Sequence, residues 1–222
     1  MSFPEDEVAV GELVIRRWRA EDVRALDEAI TVSREHLRPF MSWVSAELLP
    51  QRERENLLRD LIKGFDDSFD AGTDYTYGLL LGQLAVGGCG LHPRLGAGGL
   101  EIGYWVRAGY TGRGYATAAA SALTTLAFGN TAIERVEIHH DKANAASRRV
   151  PEKLGYEFVG EAPSEIDAPG QMGILCSWRI ERDEWTGRLV DPTTRLRPGS
   201  QANRLASPPQ GSGPARGSRA RS

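Results

Sequence analysis

Apolar and polar residues alternate along ELVIRRW (12–18), the period of a half-buried strand. Glu21 and Asp22 follow where a helix N-terminus favours acids, and Val23, Leu26 and Ile30 recur on one helical face. SREHLRPFMSW (33–43) predicts a second, short helix with Ser33 as its N-cap and Pro39 limiting its length. RERENLLRDLIKGFDDSFDAG (52–72) predicts a third, with a stripe of Leu57, Leu58, Leu61, Ile62 and Phe65 and an end at Gly72. The period then shortens to two. YTYGLLL (75–81), LAVGGCGLH (84–92) and LEIGYWV (100–106) read as strands joined by hairpin connections, GQ and PRLGAGG. A helix is expected over 113–128, a strand at 133–140, and a helix at 144–154 ended by Gly155. YEFVGEA (156–162) and MGILCSWRI (172–180) are the last two strands. Antiparallel pairing followed by strand, helix, strand, helix, strand predicts a mixed α/β domain, an α+β sheet, without internal repeats.

Composition narrows this further. With 222 residues, 41% hydrophobic and 26% charged, the chain suits one globular domain and is short for two. Residues 1–10 read as an N-terminal extension, 11–187 as the domain, and 188–222 as a tail rich in Arg, Pro, Gly and Ser. That tail carries seven arginines and one acid, Asp191, so the net charge of -3 hides an acidic body and a basic end. It lacks the apolar periodicity needed to offset its conformational entropy and is expected to be disordered. Nucleic acid is not an expected partner, except weakly through the tail. The two cysteines, Cys89 and Cys176, make no disulfide framework. MSFPEDEVAV lacks the basic-then-apolar layout of a signal peptide, and GLLLGQLAVGGCGL (78–91) is too short and glycine-broken for a membrane span. A cytoplasmic location is expected, with no membrane partner.

One turn carries chemistry. YTGRGYAT (110–117) places Gly112 and Gly114 between a strand and an alanine-rich helix. Glycines there allow close backbone approach, and the helix mouth presents unpaired N–H groups and partial positive charge, to which Arg113 adds a cation. The pattern predicts a pyrophosphate cradle. A nucleotide-triphosphate loop would need a GK[ST] ending, which is absent. A dinucleotide fingerprint would need a small residue where Thr117 stands and a leading βαβ unit. A coenzyme A cradle, or a turn that merely opens a helix, remains.

The surrounding segments choose among these. LEIGYWVRAGYTGRGYATAAASALTTLAF, VEIHHDKANAASRRVPEKLGYEFVGEA and LVIRRWRAEDVRALDEAITVSREHLRPFMSW together resemble the GNAT acetyltransferase superfamily, in particular its RimJ/RimL branch, over about residues 11–186. The resemblance implies a bent, mostly antiparallel sheet flanked by helices, the GNAT acyl-CoA N-acyltransferase fold, with acetyl-CoA as co-substrate wedged where the strands at 100–106 and 133–140 splay. It implies that backbone N–H groups of Gly112, Arg113, Gly114, Tyr115 and Ala116 hold the pyrophosphate, flanked by Thr111 and Thr117. Thr111 replaces the glutamine or arginine usual in the superfamily. Trp105 and Val106 would flank the pantetheine arm. Asn144 matches a family asparagine that bonds this arm and is equally a plausible N-cap for the helix that follows.

Acetyl transfer to an amine needs a neutral nucleophile, donors for the developing oxyanion and a proton for the leaving thiolate. Glu101 is the candidate base, acting through water, because related enzymes often place a carboxylate on this strand; a solvated strand acid is the alternative. Alternation puts Glu101, Gly103 and Trp105 on one face and Ile102, Tyr104 and Val106 on the other. The tyrosine that many relatives place seven residues after the asparagine is replaced by Pro151, and Ser147 is the alternative suggested by RimL-like enzymes. His36, Phe40, Met41 and Trp43 fall where the resemblance implies an acceptor entrance, and they also suit core packing. His139 and His140 point to opposite faces and are not expected to share a metal ion. Cys176 reads as a core thiol. The expected function is N-acetylation of a primary amine, on a protein N-terminus or a small molecule. A homodimer is left open. The alternative is a protein that senses acetyl-CoA or presents its tail to a partner without efficient catalysis.

Overall fold

The computed structural model describes residues 3–44 and 49–187. The basic tail at 188–222 lies outside the described residues. One eight-stranded sheet runs in the order β1-β2-β3-β4-β5-β6-β8-β7, formed by β1 (Glu7–Val10), β2 (Leu13–Arg17), β3 (Tyr75–Leu81), β4 (Leu84–His92), β5 (Gly99–Val106), β6 (Arg135–Asp141), β7 (Glu157–Pro163) and β8 (Ile174–Glu181). Every neighbouring pair is antiparallel except β5 and β6. Four helices cover it: α1 (Val23–Leu37), α2 (Gln51–Ala71), α3 (Tyr115–Gly129) and α4 (Ala145–Leu154). None of the described helices is long and apolar enough to cross a membrane.

Period-two alternation in β4 and β5 assigns each face a helix pair. Ile102, Leu91 and Val86 pack with Ala118, Ala119, Ala122 and Leu123 of α3, the alanines allowing the helix to sit close. Ala85 and Trp105 face the other way, against Val23, Leu26 and Ala29 of α1 and Ile62 of α2. The sheet therefore has an α1/α2 face and an α3/α4 face, each buried by an amphipathic or small-residue helix.

Two features differ from the pattern-based expectation. Residues 7–10, read as part of an N-terminal extension, form β1 and pair with β2 from Glu7↔Arg16 to Val10↔Leu13. Four residues carry too little periodicity to announce a strand by themselves. Nor does a new helix begin at Ser33: α1 runs unbroken to Leu37, ending just before Pro39. Ser33 is fully buried, and its Oγ accepts a hydrogen bond of 2.9 Å from the Ala108 amide. A residue chosen as a cap by local sequence thus docks α1 on the end of β5, together with an Arg107–Glu28 ion pair at 2.6 Å. Replacing Ser33 with Ala strands that amide, so unfolding in denaturant should show a loss of about 1–2 kcal/mol; an unchanged midpoint would mean water replaces the hydroxyl.

Candidate active site

The β5–β6 ladder consists of three pairs, Gly99↔Arg135, Leu100↔Val136 and Glu101↔Glu137. Beyond them the strands part. β6 follows β8 through Asp141↔Leu175, while β5 follows β4 through Val106↔Gly87. From Ile102 onward the β5 edge that faced β6 pairs with no strand among the described residues, which leaves backbone groups facing a wedge through the sheet. At its vertex, His139 Nδ1 is 3.5 Å from Glu101 Oε2 and His139 Nε2 is 2.8 Å from Glu137 Oε2. Arg179 in turn holds Glu137 at 2.7 Å.

On the α3/α4 side the wedge meets two helix N-termini. Gly112 (φ 73°) and Gly114 (φ 89°) adopt left-handed backbone conformations in the turn before α3, which a Cβ would strain. Gly114 caps α3, and among the described residues no side chain bonds the first amides of the helix. Thr111, Gly112 and Arg113 are exposed, Gly114 and Ala116 half-buried, and Tyr115 and Thr117 buried. The Arg113 guanidinium rests 4.7 Å from the centre of the Tyr110 ring. These unpaired donors at a positive helix end fit a diphosphate.

At the other helix, Asn144 Oδ1 accepts from the Ser147 amide at 3.1 Å, so its N-cap role is observed. The Asp141 carboxylate sets the approach by accepting the Ala143, Met172 and Gly173 amides. Pro151 stands inside α4 and has no N–H to give the Ser147 carbonyl four residues earlier. Tyr104 of β5 fills that vacancy: its hydroxyl donates to the Ser147 carbonyl at 3.1 Å and lies 3.0 Å from Ser147 Oγ. Burial pushes the Tyr104 phenol well above its ordinary pKa. Pattern reading put Tyr104 on the expected face and gave it no role; the signal was Pro151, whose missing donor calls for a partner.

On the α1/α2 side the wedge opens into a cavity of about 930 Å³. Glu101, His92, Gly103 and Trp105 form part of its floor, and Leu57, Leu61 and Phe65 of α2 part of a wall. Phe40 and Trp43 reach it, Trp43 meeting Trp105 edge-on at 5.9 Å. His36 does not: it is exposed in the last turn of α1, outside the lining, because α1 continues where a second helix was expected. Gly170 donates 2.8 Å to the Pro39 carbonyl, so the segment bearing Asp167 and Gln171 is tied across to the end of α1. Asn144 and Ser147 also border the cavity, so the two sides communicate. His140 points away from His139; its Nδ1 bonds the Asp141 carbonyl, and its Nε2 accepts from Trp178 at 3.0 Å. Cys176 is buried.

A wedge that joins a helix mouth with unsatisfied amides on one face to a cavity on the other suits an acyl-CoA-dependent transferase. Comparison with known proteins agrees. The Acetyltransferase (GNAT) domain model matches residues 12–157, and the chain belongs to that family of acetyl-CoA-dependent N-acetyltransferases. The YdaF protein of Bacillus subtilis (strain 168), named as a candidate ribosomal N-acetyltransferase, is 28% identical over 177 residues, covering 79% of this chain and 94% of its own. A solved protein described as a probable acetyltransferase is 26% identical with a TM-score of 0.72, covering 81% of this chain and 98% of that one. Mycobacterium smegmatis RimJ, solved with CoA-disulfide, shares the fold at 20% identity and a TM-score of 0.70, covering 82% of this chain and 90% of RimJ.

The vertex ion pair has a pH signature. Burial opposes ionisation of Glu101, but the bond to His139 and nearby Arg94 hold its pKa below the ordinary carboxylate value. That same bond, helped by Glu137, outweighs burial and raises His139 above the ordinary imidazole value. Glu101 contributes stability above its unfolded pKa, lost as pH falls through the folded one. His139 contributes below its unfolded pKa, lost as pH rises through the folded one. The stability difference between wild type and Glu101→Gln should therefore be widest at about pH 5–6.5 and narrow toward alkaline pH; a pH-independent difference in denaturant melts contradicts the pairing.

Proposed function

We propose that this protein moves the acetyl group of acetyl-CoA directly to the α-amine of a polypeptide N-terminus. The observation that carries this reading is the wedge itself, with unsatisfied helix amides at one end and, at the other, a mostly apolar cavity with Glu101 in its floor. Gly112, Arg113, Gly114, Tyr115 and Ala116 would hold the diphosphate through their amides, between Thr111 and Thr117. The free β5 edge near Trp105 and Val106, together with the side-chain amide of Asn144, would hold the pantetheine arm. Bound there, acetyl-CoA supplies an activated acyl carbon. The backbone N–H groups of that edge are placed to stabilise charge on its oxygen. Much of the rate would come from orientation of the two reactants.

The Glu101 carboxylate in the floor offers an incoming ammonium group an opposite charge. An acceptor larger than a simple amine fits a cavity at the upper end of the usual ligand-pocket range of about 300–1,000 Å³. The name of the Bacillus relative supports a ribosomal protein as the acceptor. On the opposite side, the Tyr104 hydroxyl donates to the Ser147 carbonyl and shares a hydrogen bond with Ser147 Oγ. The Ser147 hydroxyl would turn from Tyr104 to the departing thiolate, with Tyr104 positioning it.

Two measurements test this. Gly114→Ala forces a Cβ into a left-handed turn at a strain cost of roughly 1–2 kcal/mol, and the turn should relax away from its amide geometry. Acetyl-CoA affinity by calorimetry should fall about tenfold, with the melting temperature lowered by about 2–8 °C; full retention of affinity would place the diphosphate elsewhere. Ser147→Ala should lower kcat about 10–100-fold, the worth of one hydrogen bond to a charged group, while acetyl-CoA affinity holds. An unchanged kcat in thiol-release assays removes Ser147 from the reaction.

A further inference from the structure

The cavity floor holds a second acid–imidazole pair, separate from Glu101 and His139. His92 ends β4 and stands directly across from Glu101 in the β4–β5 register, on the same face of the sheet. Its Nδ1 lies 2.5 Å from Asp74 Oδ1, just before β3. The ring lies along the strands rather than standing away from them. A Cβ on Gly90 would come within 2.7 Å of His92 Cε1 and 2.8 Å of Nε2, and one on Gly103 within 3.1 Å of Nε2. Two glycines on adjacent strands thus leave the space the imidazole occupies. The tilt carries Nε2 over Gly103, one step along the face from Glu101 toward Trp105 and the free edge of β5. Among the described residues Nε2 has no hydrogen-bond partner. Glu101, by contrast, is engaged by His139 and has its pKa lowered, which makes it a weaker proton acceptor.

We propose that His92 is the catalytic base that takes a proton from the acceptor ammonium, and that Asp74 is its positioning residue. This rests on the acetyl-transfer reading above. Asp74 fixes the tautomer: a carboxylate at Nδ1 keeps the proton there and turns the Nε2 lone pair to the cavity. Burial disfavours its charge, but the bond from His92, nearby Arg94 and the Tyr75 amide outweigh that and keep it anionic. The charged groups around the ring are Asp74 before β3, Arg94 after β4, Glu101 on β5 and His139 on β6. The step balances as follows. Nε2 accepts one ammonium proton and hands it to cavity water. The freed lone pair forms the C–N bond at the thioester carbon, and the C–S bond breaks. A second nitrogen proton ends on the sulfur, beside Ser147, so ammonium and thioester become amide, thiol and one released proton.

The test uses the full chain, acetyl-CoA and a short peptide with a free N-terminal amine, following thiol release and product mass. His92→Ala and His92→Gln should both lower kcat/KM about 100-fold near pH 7, with acetyl-CoA affinity unchanged. The deficit should shrink as pH passes the α-amine's own pKa of about 8, where the acceptor arrives neutral and needs no base. Asp74→Asn should show a smaller deficit of the same pH dependence. In wild type, the His92 Cε1–H resonance should move when the peptide is added. Activity of either His92 variant within about threefold of wild type near pH 7, or a deficit that stays constant as pH rises, overturns the proposal. A wild type that binds acetyl-CoA but acetylates no amine overturns the transferase reading, and this inference with it.

Discussion

Three parallel residue pairs join β5 to β6, and then the ladder ends; the rest of the site depends on that interruption. A sheet normally pairs its backbone groups along the full strand, because an unmatched N–H or C=O inside a protein is costly. Here each strand keeps its other neighbour, β4 or β8, so the sheet survives while one seam opens. The open seam leaves backbone hydrogen-bonding groups that a β-like substrate arm can use. It also connects the α3/α4 face with the α1/α2 face, as the proposed entry of the two reactants from opposite sides requires.

The vertex is where strand pairing, charge and chemistry meet. Glu101 is the last β5 residue paired with β6, and His139 on β6 reaches back to it across the opening. Glu137 and Arg179 extend this into a chain of alternating charge linking β5, β6 and β8. Such a network holds the Glu101 carboxylate ionised despite burial, because His139 and Arg94 lie close to it. It can also brace β5, β6 and β8 against one another where the seam begins. A carboxylate whose pKa is held low is better suited to attraction than to repeated protonation, which directs attention to the neighbouring imidazole of His92, whose outer nitrogen is open.

Most of the architecture was legible because it is written in local periods. The alternation of 100–106, the glycines of 110–117 and the cap-and-glycine ends of 144–155 each specify an element without help from elsewhere. What escaped depends on contacts distant in sequence. Ser33 looks like a cap until Ala108, seventy-five residues away, uses its hydroxyl. Tyr104 gains a role only because Pro151 leaves the Ser147 carbonyl short of a donor. His92 reads as a polar strand end until Asp74 and two glycines are brought beside it. The strand at 7–10 needs β2 as its template. Periodicity reports which face a residue occupies and is silent on which partner waits there.

Amide hydrogen–deuterium exchange with and without acetyl-CoA tests the account most directly. The open seam and the helix mouth predict new protection confined to residues 102–107 and 112–118, with the β4 and β8 ladders unchanged. Protection that appears elsewhere, or no response at concentrations that saturate related transferases, would contradict the claim that the interrupted ladder is the acyl-donor site.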